Sequence, residues 1–220
     1  LIANNIANMN TTAFKSQSPI FEEILVKNMA GETNSYVSDV GTLRNLQEGN
    51  FTPTSSPFDL AINGNGYFVI ETPDGDRYTR GGHFVSNEEG ELVTSSGLPV
   101  LDIDDNTIFI DPEAAPFTVS GDGTVSGQFG EPVRIQVVSF ANEQELKKVS
   151  DGLYTTAQQP EEPEENIKIV QYMLEDSNVQ PIVEMSQMIL VHRSYQASGK
   201  MNKTGHELQR KMIDTIGKTS

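Results

Sequence analysis

Four oxygen-bearing residues in the middle of the chain have the spacing of a calcium-binding loop. Asp102, Asp104, Asn106 and Glu113 occupy positions 1, 3, 5 and 12 of an EF-hand pattern, where oxygen atoms bind the ion. Position 6 is Thr107 instead of the glycine that makes the sharp turn, and the flanking residues are apolar and strand-like. The pattern therefore favours a polar turn between strands, and we expect no metal or cofactor.

The remaining residues that could do chemistry do not form a catalytic pattern. The three histidines, His83, His192 and His206, are far apart and form no HExxH-type ligand pair. His192 falls within a predicted helix, which favours a packed or interfacial side chain. No GxSxG motif is present, and Ser95-Ser96-Gly97 is typical of a turn. We therefore predict that the chain is not an enzyme.

Composition excludes several classes of partner. The chain has 31 acidic and 15 basic residues and a formal net charge of −16, which repels nucleic-acid phosphates. It has no cysteine, and no run of about 18 apolar residues long enough to span a bilayer. We expect neither nucleic-acid binding nor direct membrane insertion. Because Leu1 already lies within a predicted helix, we also expect natural sequence upstream of it.

The N-terminal quarter divides into two predicted zones. Leu1, Ile2 and Ile6 form an apolar stripe at helical spacing, so residues 1–30 are predicted to be a helical segment, although residues 8–12 are poor helix formers. Residues 31–57 are rich in Gly, Ser, Thr and Asn and are predicted to be an extended linker.

The middle of the chain, residues 58–157, is predicted to be a β-rich domain of sandwich-like or barrel-like form. Short apolar segments alternate with turn signals, without intervening helical periods. Residues 63–66, Asn-Gly-Asn-Gly, separate two such segments, and this sequence predicts a hairpin turn. Residues 142–149 are predicted to form one or two helical turns.

The C-terminal region begins with a linker. Residues 158–176 start with prolines among four glutamates, which predicts a solvated, extended segment that returns to the domain. Residues 177–220 predict a helix with an apolar stripe, with Pro181 in its first turn. A helix this long needs a partner, and the N-terminal helix is the candidate. The sequence thus predicts a discontinuous helical coiled-coil domain around the β domain.

Charge on the C-terminal helix permits two interpretations. Between Lys200 and Ser220 there are five basic residues and two acidic ones, so this segment is positive in an otherwise acidic chain. It forms either a solvated helix face or an electrostatic contact with acidic neighbours.

Motifs along most of the chain resemble those of the flagellar axial proteins, the rod, hook and hook-associated proteins. Residues 2–15, IANNIANMNTTAFK, resemble the ANNxANxxTxGFK signature, with Ala13 where the family has Gly. Residues 57–68 resemble PLDxAIxGxGFF, and residues 78–84 resemble YTRxGxF. Residues 90–101 are similar to GxLVTxxGxPVL, and residues 174–197 to LExSNVxxxxEM followed by RxYxA.

This resemblance implies a structural subunit of the flagellar basal-body rod, located in the periplasmic rod. Its terminal helices would pack in a tube around the export channel, with the β domain outside. The implied partners are copies of itself, other rod proteins and the flagellar type III export apparatus. The predicted subunit-interface residues are Asn4, Asn5, Ile6, Asn8, Met185, Ile189, Tyr195 and Leu208.

Two alternatives remain open from the sequence. Within the family, the short span between the N-terminal motif and residues 57–68 favours a rod protein over a hook protein, and the compact β domain fits both rod types. The short zone 102–125 and residues 188–195, which resemble the proximal form more closely, favour the proximal rod type over the distal type. Outside the family, a ligand-binding β module with a dimerising coiled coil would have the same element pattern. A stable dimer in dilute solution would favour that module, whereas labile terminal helices on a monomeric β core would favour the rod.

Overall fold

Helices lie at both ends of the chain and strands lie between them. The computed structural model describes residues 1–27, 33–110, 117–127, 132–163 and 167–217. Helix α1 spans Ile2–Ala7 and helix α2 spans Pro181–Gly217. The prediction of a mainly β protein with helical termini is confirmed. No helix among the described residues is long and apolar enough to cross a membrane.

Most of the strands are short, as the close spacing of turn signals predicts. In chain order they are β1 (Gln17–Lys27), β2 (Thr33–Arg44), β3 (Phe51–Pro53), β4 (Leu60–Asn63), β5 (Tyr67–Ile70), β6 (Arg77–Thr79), β7 (Phe84–Ser86), β8 (Leu92–Thr94), β9 (Thr118–Val119), β10 (Thr124–Ser126), β11 (Val133–Arg134), β12 (Val137–Val138), β13 (Lys147–Lys148), β14 (Leu153–Thr155), β15 (Lys168–Gln171) and β16 (Met173–Glu175). A 3₁₀ turn, Glu143–Glu145, lies within the segment predicted to be helical.

The strands form small antiparallel sheets, and those of the β domain surround two clusters of buried apolar side chains. The largest sheet has the order β12-β5-β6-β14-β13, and another has the order β11-β10-β9. Strand β15 pairs with β4, β16 with β3, and β7 with β8. A barrel-like or sandwich-like arrangement of these sheets stays a prediction.

Strand β5 is buried on both faces, which explains why four apolar residues follow one another there. Phe68 and Ile70 belong to one buried cluster, and Tyr67 and Val69 belong to the other. Successive side chains of a strand point to opposite sides, so one strand can serve two clusters only if both sides are apolar. The Phe68 ring meets the Phe84 ring edge to face, with centroids 5.1 Å apart.

The hairpin predicted at residues 63–66 is wrong. Strand β4 pairs with β15, whereas β5 pairs with β6 and β12, so the Asn-Gly-Asn-Gly segment connects two different sheets. Gly64 has a φ of +112°, which only glycine adopts readily. The Arg80 side chain donates to the backbone oxygens of Ile62 and Gly66. These two bonds connect the end of β4 to the start of β5, which share no backbone hydrogen bonds of their own.

The N-terminal helical segment predicted for residues 1–30 is wrong beyond α1. Strand β1 covers residues 17–27 and pairs along its length with β2, with a bulge at Ile20/Phe21. The predicted extended linker, residues 31–57, therefore contains the second strand of a long hairpin, residues 33–44. Thr and Asn after α1 and Pro19 disfavour a helix, and a facing strand satisfies the backbone groups that a helix would satisfy internally. Residues 28–32 lie outside the described residues.

The C-terminal helix is confirmed, but its start and the preceding linker differ from the prediction. Pro181 is the first residue of α2, which needs no backbone N–H there. Asn178 lies outside the helix and binds other segments. Within the predicted linker, the backbone of Glu161 pairs with Ser139, and residues 168–175 form β15 and β16. Residues 164–166 and 218–220 lie outside the described residues.

Alkaline pH should destabilise the fold through its buried tyrosines. Burial and a 2.6 Å hydrogen bond donated to Glu143 Oε2 raise the pKa of Tyr67, and burial raises the pKa of Tyr78, both above the ordinary 10.0. Above pH 10 the unfolded chain loses these protons while the folded chain retains them, so the free energy of unfolding should fall as pH rises. Tyr67→Phe should make the free energy of unfolding fall less steeply with pH. At neutral pH it should lower that free energy by about 0.5–1.5 kcal/mol, because a buried hydrogen bond is lost.

Urea unfolding measured between pH 7 and pH 11 tests the expected effect of Tyr67. A Tyr67→Phe variant with an unchanged slope above pH 10 would contradict it.

Candidate assembly site

A buried network of charges joins both ends of the chain to the β domain. Lys15, Glu48, Arg80 and Glu175 compose this network, which we call the junction cluster. Lys15 comes from the segment after α1, Arg80 follows β6, and Glu175 ends β16 a few residues before α2. The cluster therefore fixes where α2 leaves the β domain.

Glu175 is the centre of the junction cluster. Its side chain is 1% exposed, and its Oε1 atom lies 2.7 Å from Lys15 Nζ and 3.0 Å from the Gly49 backbone nitrogen. Its Oε2 atom lies 2.6 Å from Arg80 Nε. A Cβ atom on Gly49 would lie 1.9 Å from the backbone oxygen of Asp176, so this close approach requires glycine. One carboxylate thus compensates two buried cations.

Burial is the main influence on Lys15. It lowers the pKa of Lys15, while the Glu175 carboxylate opposes that effect. The ammonium group also donates to the backbone oxygen of Gln47 at 2.7 Å. Arg80 Nη2 pairs with Glu48 Oε1 at 2.8 Å, so the cluster extends towards the surface through the partly exposed Glu48. These charged groups have their partners within the chain, which favours a role in positioning α2 on the β domain.

Two asparagines tie the helices to the same region. Asn5, 2% exposed, exchanges hydrogen bonds with the Gln17 backbone and donates from Nδ2 to Glu184 Oε1 at 2.8 Å, so α1 lies against the start of α2. Asn178 accepts from the Ser16 backbone nitrogen at 2.7 Å and donates to the backbone oxygens of residues 45 and 47. Together they connect α1, the base of the hairpin and the root of α2.

Asn178→Ala should destabilise this connection. The substitution removes one acceptor and two donor bonds to backbone groups, so we expect the free energy of unfolding to fall by about 1–3 kcal/mol. Chemical denaturation of the purified chain measures the change. Ser177→Ala is the matched control and should lower the free energy of unfolding clearly less, because among the described residues the Ser177 hydroxyl bonds only to the nearby backbone nitrogen of Val179. Equal effects of the two substitutions would contradict the assignment.

Ala13, which stands where the resembled signature has glycine, adopts the left-handed conformation. Its φ is +55°, and its backbone nitrogen donates to the backbone oxygen of Glu175 at 2.8 Å. This conformation costs an L-residue roughly 1–2 kcal/mol. The turn that glycine would favour is therefore retained, because contacts around it fix the backbone.

The predicted interface residues fall into two separate groups. Asn4 is exposed, Ile6 and Asn8 are half-buried, and the Asn5 side chain has all its partners within the chain. Met185, Ile189, Tyr195 and Leu208 are exposed on α2. Helix α1 contacts α2 at Glu184, next to Met185, whereas Leu208 lies about 36 Å further along α2. One chain therefore brings the N-terminal group near Met185 but not near Leu208.

Helix α2 exposes large apolar side chains along most of its length. Large apolar side chains of its first four turns point in all directions around the axis, and those after Tyr195 lie mainly on one side. The exposed members are Ile182, Val183, Met185, Met188, Ile189, Leu190, Val191, Tyr195, Met201, Leu208 and Met212. Contiguous apolar surface of this kind marks a protein-interaction site.

The hairpin β1–β2 is a second apolar surface that the sequence analysis did not identify. Phe21 is 62% exposed, Leu25 63% and Val37 71%. The strand period places these three side chains on one face, since Glu23 between Phe21 and Leu25 pairs with Val37. The available signal was the composition of the apolar segment after Pro19, rich in Ile, Phe and Val, but this segment was assigned to the N-terminal helical zone. The junction cluster was also missed, although Lys15, Arg80 and Glu175 each lie within one of the quoted motifs.

Contacts with nearby groups account for the Asp102 segment and for His83. Asp102 Oδ1 accepts hydrogen bonds from the backbone nitrogens of Asp104 and Asn106, both at 2.8 Å, which forms the expected polar turn. Glu113 lies outside the described residues. His83 Nδ1 lies 2.7 Å from Asp59 Oδ1. In the part of the chain that the structure describes, no three His, Asp or Glu side chains are grouped as metal ligands.

Two protein-family models match this chain. Residues 61–127 match the D1 domain of the flagellar hook protein FlgE/F/G, and residues 170–215 match the C-terminal part of the flagellar basal-body rod FlgEFG protein. The first match covers much of the β domain, and the second covers the end of β15, all of β16 and most of α2.

Curated relatives align over nearly the whole chain. A flagellar basal-body rod protein FlgF of Caulobacter vibrioides is 40% identical, over 99% of this chain and 91% of the relative. A flagellar basal-body rod protein FlgG of Bacillus subtilis is 33% identical, over 97% and 91%. A flagellar basal-body rod protein FlgF of Mesorhizobium japonicum is 31% identical, over 100% and 91%.

Proposed function

Because this chain belongs to the family of flagellar hook and basal-body rod proteins, we propose that α2 is the element by which it joins the rod. The chain is a structural subunit of the basal-body rod, of the FlgF type, and not an enzyme. It assembles there with copies of itself and with other rod proteins. The FlgF type corresponds to the proximal rod protein that the sequence predicted.

The exposure of α2 is the observation that carries this proposal. Ile182 is 81% exposed and Tyr195 78% exposed, although both are large and apolar. Burying such a side chain contributes about 1.5–3 kcal/mol, so α2 gains most of its stabilisation only when other subunits cover it. Helices of neighbouring copies are suitable partners, in the coiled-coil-like packing that the long apolar pattern predicts.

The first four turns of α2 need neighbours on more than one side. Val183, Met185 and Val191 project at angles spread around the axis, so a single partner helix covers only some of them. A tube of parallel helices supplies neighbours on two sides, and the junction cluster would hold every β domain at the same angle to its helix. The remaining predicted interface residues, Asn4, Ile6 and Asn8, would lie at the edge of this packing.

Delivery of the chain through the flagellar type III export apparatus completes the proposal. It is supported only by the resemblance of the motifs at both ends to those of the axial proteins. Loss of the chain from the medium or the rod in an export-deficient strain, with normal synthesis inside the cell, is the expected result.

Purified basal bodies test the proposed role of the chain. We expect a tagged full-length protein to remain with detergent-extracted basal bodies after the filament and hook have been removed, and microscopy should place the tag on the rod. A protein absent from basal bodies and fully folded as a soluble dimer would overturn the proposal. That result would support the ligand-binding module instead.

A further inference from the structure

We propose that the side-chain amides of Asn5 and Gln144 form a clamp that fixes the direction in which the hairpin β1–β2 projects, and that incorporation into the rod requires this fixed direction. Asn5 belongs to α1, and Gln144 belongs to the 3₁₀ turn of the β domain. The second half of the inference rests on the proposed function, because it concerns incorporation into the rod.

The clamp holds the hairpin at one cross-strand pair. Gln17 of β1 lies opposite Arg44 of β2 at the root of the hairpin. The backbone nitrogen of Gln17 donates to Asn5 Oδ1 at 3.0 Å, and its backbone oxygen accepts from Asn5 Nδ2 at 2.9 Å. The backbone nitrogen of Arg44 donates to Gln144 Oε1 at 3.0 Å, and its backbone oxygen accepts from Gln144 Nε2 at 2.7 Å. Each amide therefore bonds the outer edge of its strand as a further strand would.

This arrangement limits rotation of the hairpin about its root. The backbone groups of Gln17 and Arg44 point away from each other, as in a non-hydrogen-bonded pair of an antiparallel ladder. One strand is consequently held by α1 and the other by the β domain, from opposite edges. A swing of the hairpin as a rigid body would break the bonds on at least one side.

Both halves of the clamp are themselves fixed. Asn5 is 2% exposed, and its amide bonds to α2 as well as to the hairpin. The 3₁₀ turn is bound by the Arg44 guanidinium, whose Nη2 atom donates to the backbone oxygens of Glu143 and Leu146. The same guanidinium lies 4.8 Å from the centroid of the Tyr154 ring. The clamp is thus a connection between rigid elements.

Beyond its root, the hairpin presents apolar side chains on both faces. Phe21, Leu25 and Val37 are exposed on one face, and Ile20 and Ile24 are exposed on the opposite face. A two-stranded hairpin is only marginally stable alone in water, so these faces need cover from neighbouring subunits. A freely swinging hairpin would lose conformational entropy on docking, whereas a clamped one presents its faces at the same angle in every copy.

Distances between two spin labels, measured by pulsed electron paramagnetic resonance on the purified chain, test the clamp. The chain has no cysteine, so Ser35→Cys in the hairpin and Ser126→Cys in the β domain introduce the only thiols, both at exposed positions. Ser35 lies about 30 Å from Arg44 along β2, so a swing of about 20° at the root displaces the label by about 10 Å. The parent should give one narrow distance distribution, and Gln144→Ala should broaden it by about 10 Å.

The matched control is Gln171→Ala, because the Gln171 amide also binds backbone groups but does so within the β domain. It accepts from the Val119 nitrogen at 3.1 Å and donates to the Pro57 oxygen at 2.8 Å. Its removal should leave the distribution narrow. Gln144 is exposed, so Gln144→Ala should remain folded, which circular dichroism of the purified chain checks. Distributions of equal width in the parent and in Gln144→Ala, or equal broadening by Gln171→Ala, would overturn the clamp.

The amount of subunit in purified basal bodies tests the requirement for a fixed direction. Gln144→Ala should lower that amount roughly fivefold, and Gln171→Ala should leave it near the parent level. Broadened distances with normal incorporation would overturn the requirement and leave the proposed function intact. Absence of the parent from basal bodies would overturn the proposed function and the requirement with it, whereas the distances in the purified chain would still decide the clamp.

Discussion

Glu175→Ala should lower the free energy of unfolding of the β domain by about 3–5 kcal/mol, because it leaves the buried Lys15 without its ion-pair partner and the buried Arg80 with only the partly exposed Glu48. Glu175 holds Lys15 and Arg80, whose side chains are 5% and 4% exposed, at 2.7 and 2.6 Å. It also accepts the Gly49 backbone N–H, so its removal leaves a donor without a partner. This is a large fraction of the total stability of a domain of this size.

Chemical denaturation of the isolated chain, followed by tyrosine fluorescence, measures the effect of Glu175→Ala. Asp176→Ala is the matched control: it is the adjacent residue, it is exposed, and its side chain bonds only to Thr52 in the structure, so a loss below about 1 kcal/mol is expected. Glu175→Gln should fall between the two, since it keeps an acceptor but not the charge. If Glu175→Ala and Asp176→Ala lower the free energy of unfolding by the same amount, the junction cluster does not stabilise the fold as inferred.

Ile189→Asp and Leu208→Asp should each abolish incorporation into the rod while leaving the stability of the isolated chain unchanged. Ile189 is 53% exposed and Leu208 57% exposed, so neither substitution disturbs a buried contact of the monomer. In an assembly that covers α2, each would bury an unpaired carboxylate, at a cost of several kcal/mol per interface. Because a rod repeats the interface in every copy, the penalty recurs at each subunit.

Motility in soft agar and the amount of subunit in purified basal bodies measure the effect of the aspartate substitutions. Ser194→Asp is the matched control for charge on the helix, because it places the same carboxylate at an exposed polar position of α2 and should be tolerated better. Normal motility of both apolar-to-aspartate variants would contradict assembly through this helix. If a variant lowers the free energy of unfolding of the purified chain as well as its incorporation, the result would instead indicate a folding defect.

Elements whose pattern is local were predictable from the sequence. The C-terminal helix, the short strands and the 3₁₀ turn follow from apolar periodicity, Pro181 in a first turn and frequent turn residues, all of which act within a few positions. The polar turn at Asp102 was predicted for the same reason. Its side chain bonds to backbone groups two and four residues later, so no distant segment is needed.

Pairing between distant segments was not predictable in the same way. Residues 63–66 have an ideal hairpin sequence, yet β4 pairs with β15 about a hundred residues later, because an apolar strand gains as much from any suitable edge as from its neighbour in sequence. Residues 17–27 contain apolar residues compatible with a helix or a strand, and the facing strand β2 decided between them.

The sequence by itself determined the family, the mainly β class, the C-terminal helix and the absence of a catalytic pattern, because motifs and periodicity are properties of neighbouring residues. Only the tertiary structure decided that Asn5 is an internal tie and that Lys15, Arg80 and Glu175 form one buried junction. The physical reason is that burial and charge pairing depend on which segments meet across up to 179 residues of chain, and no local pattern encodes that meeting.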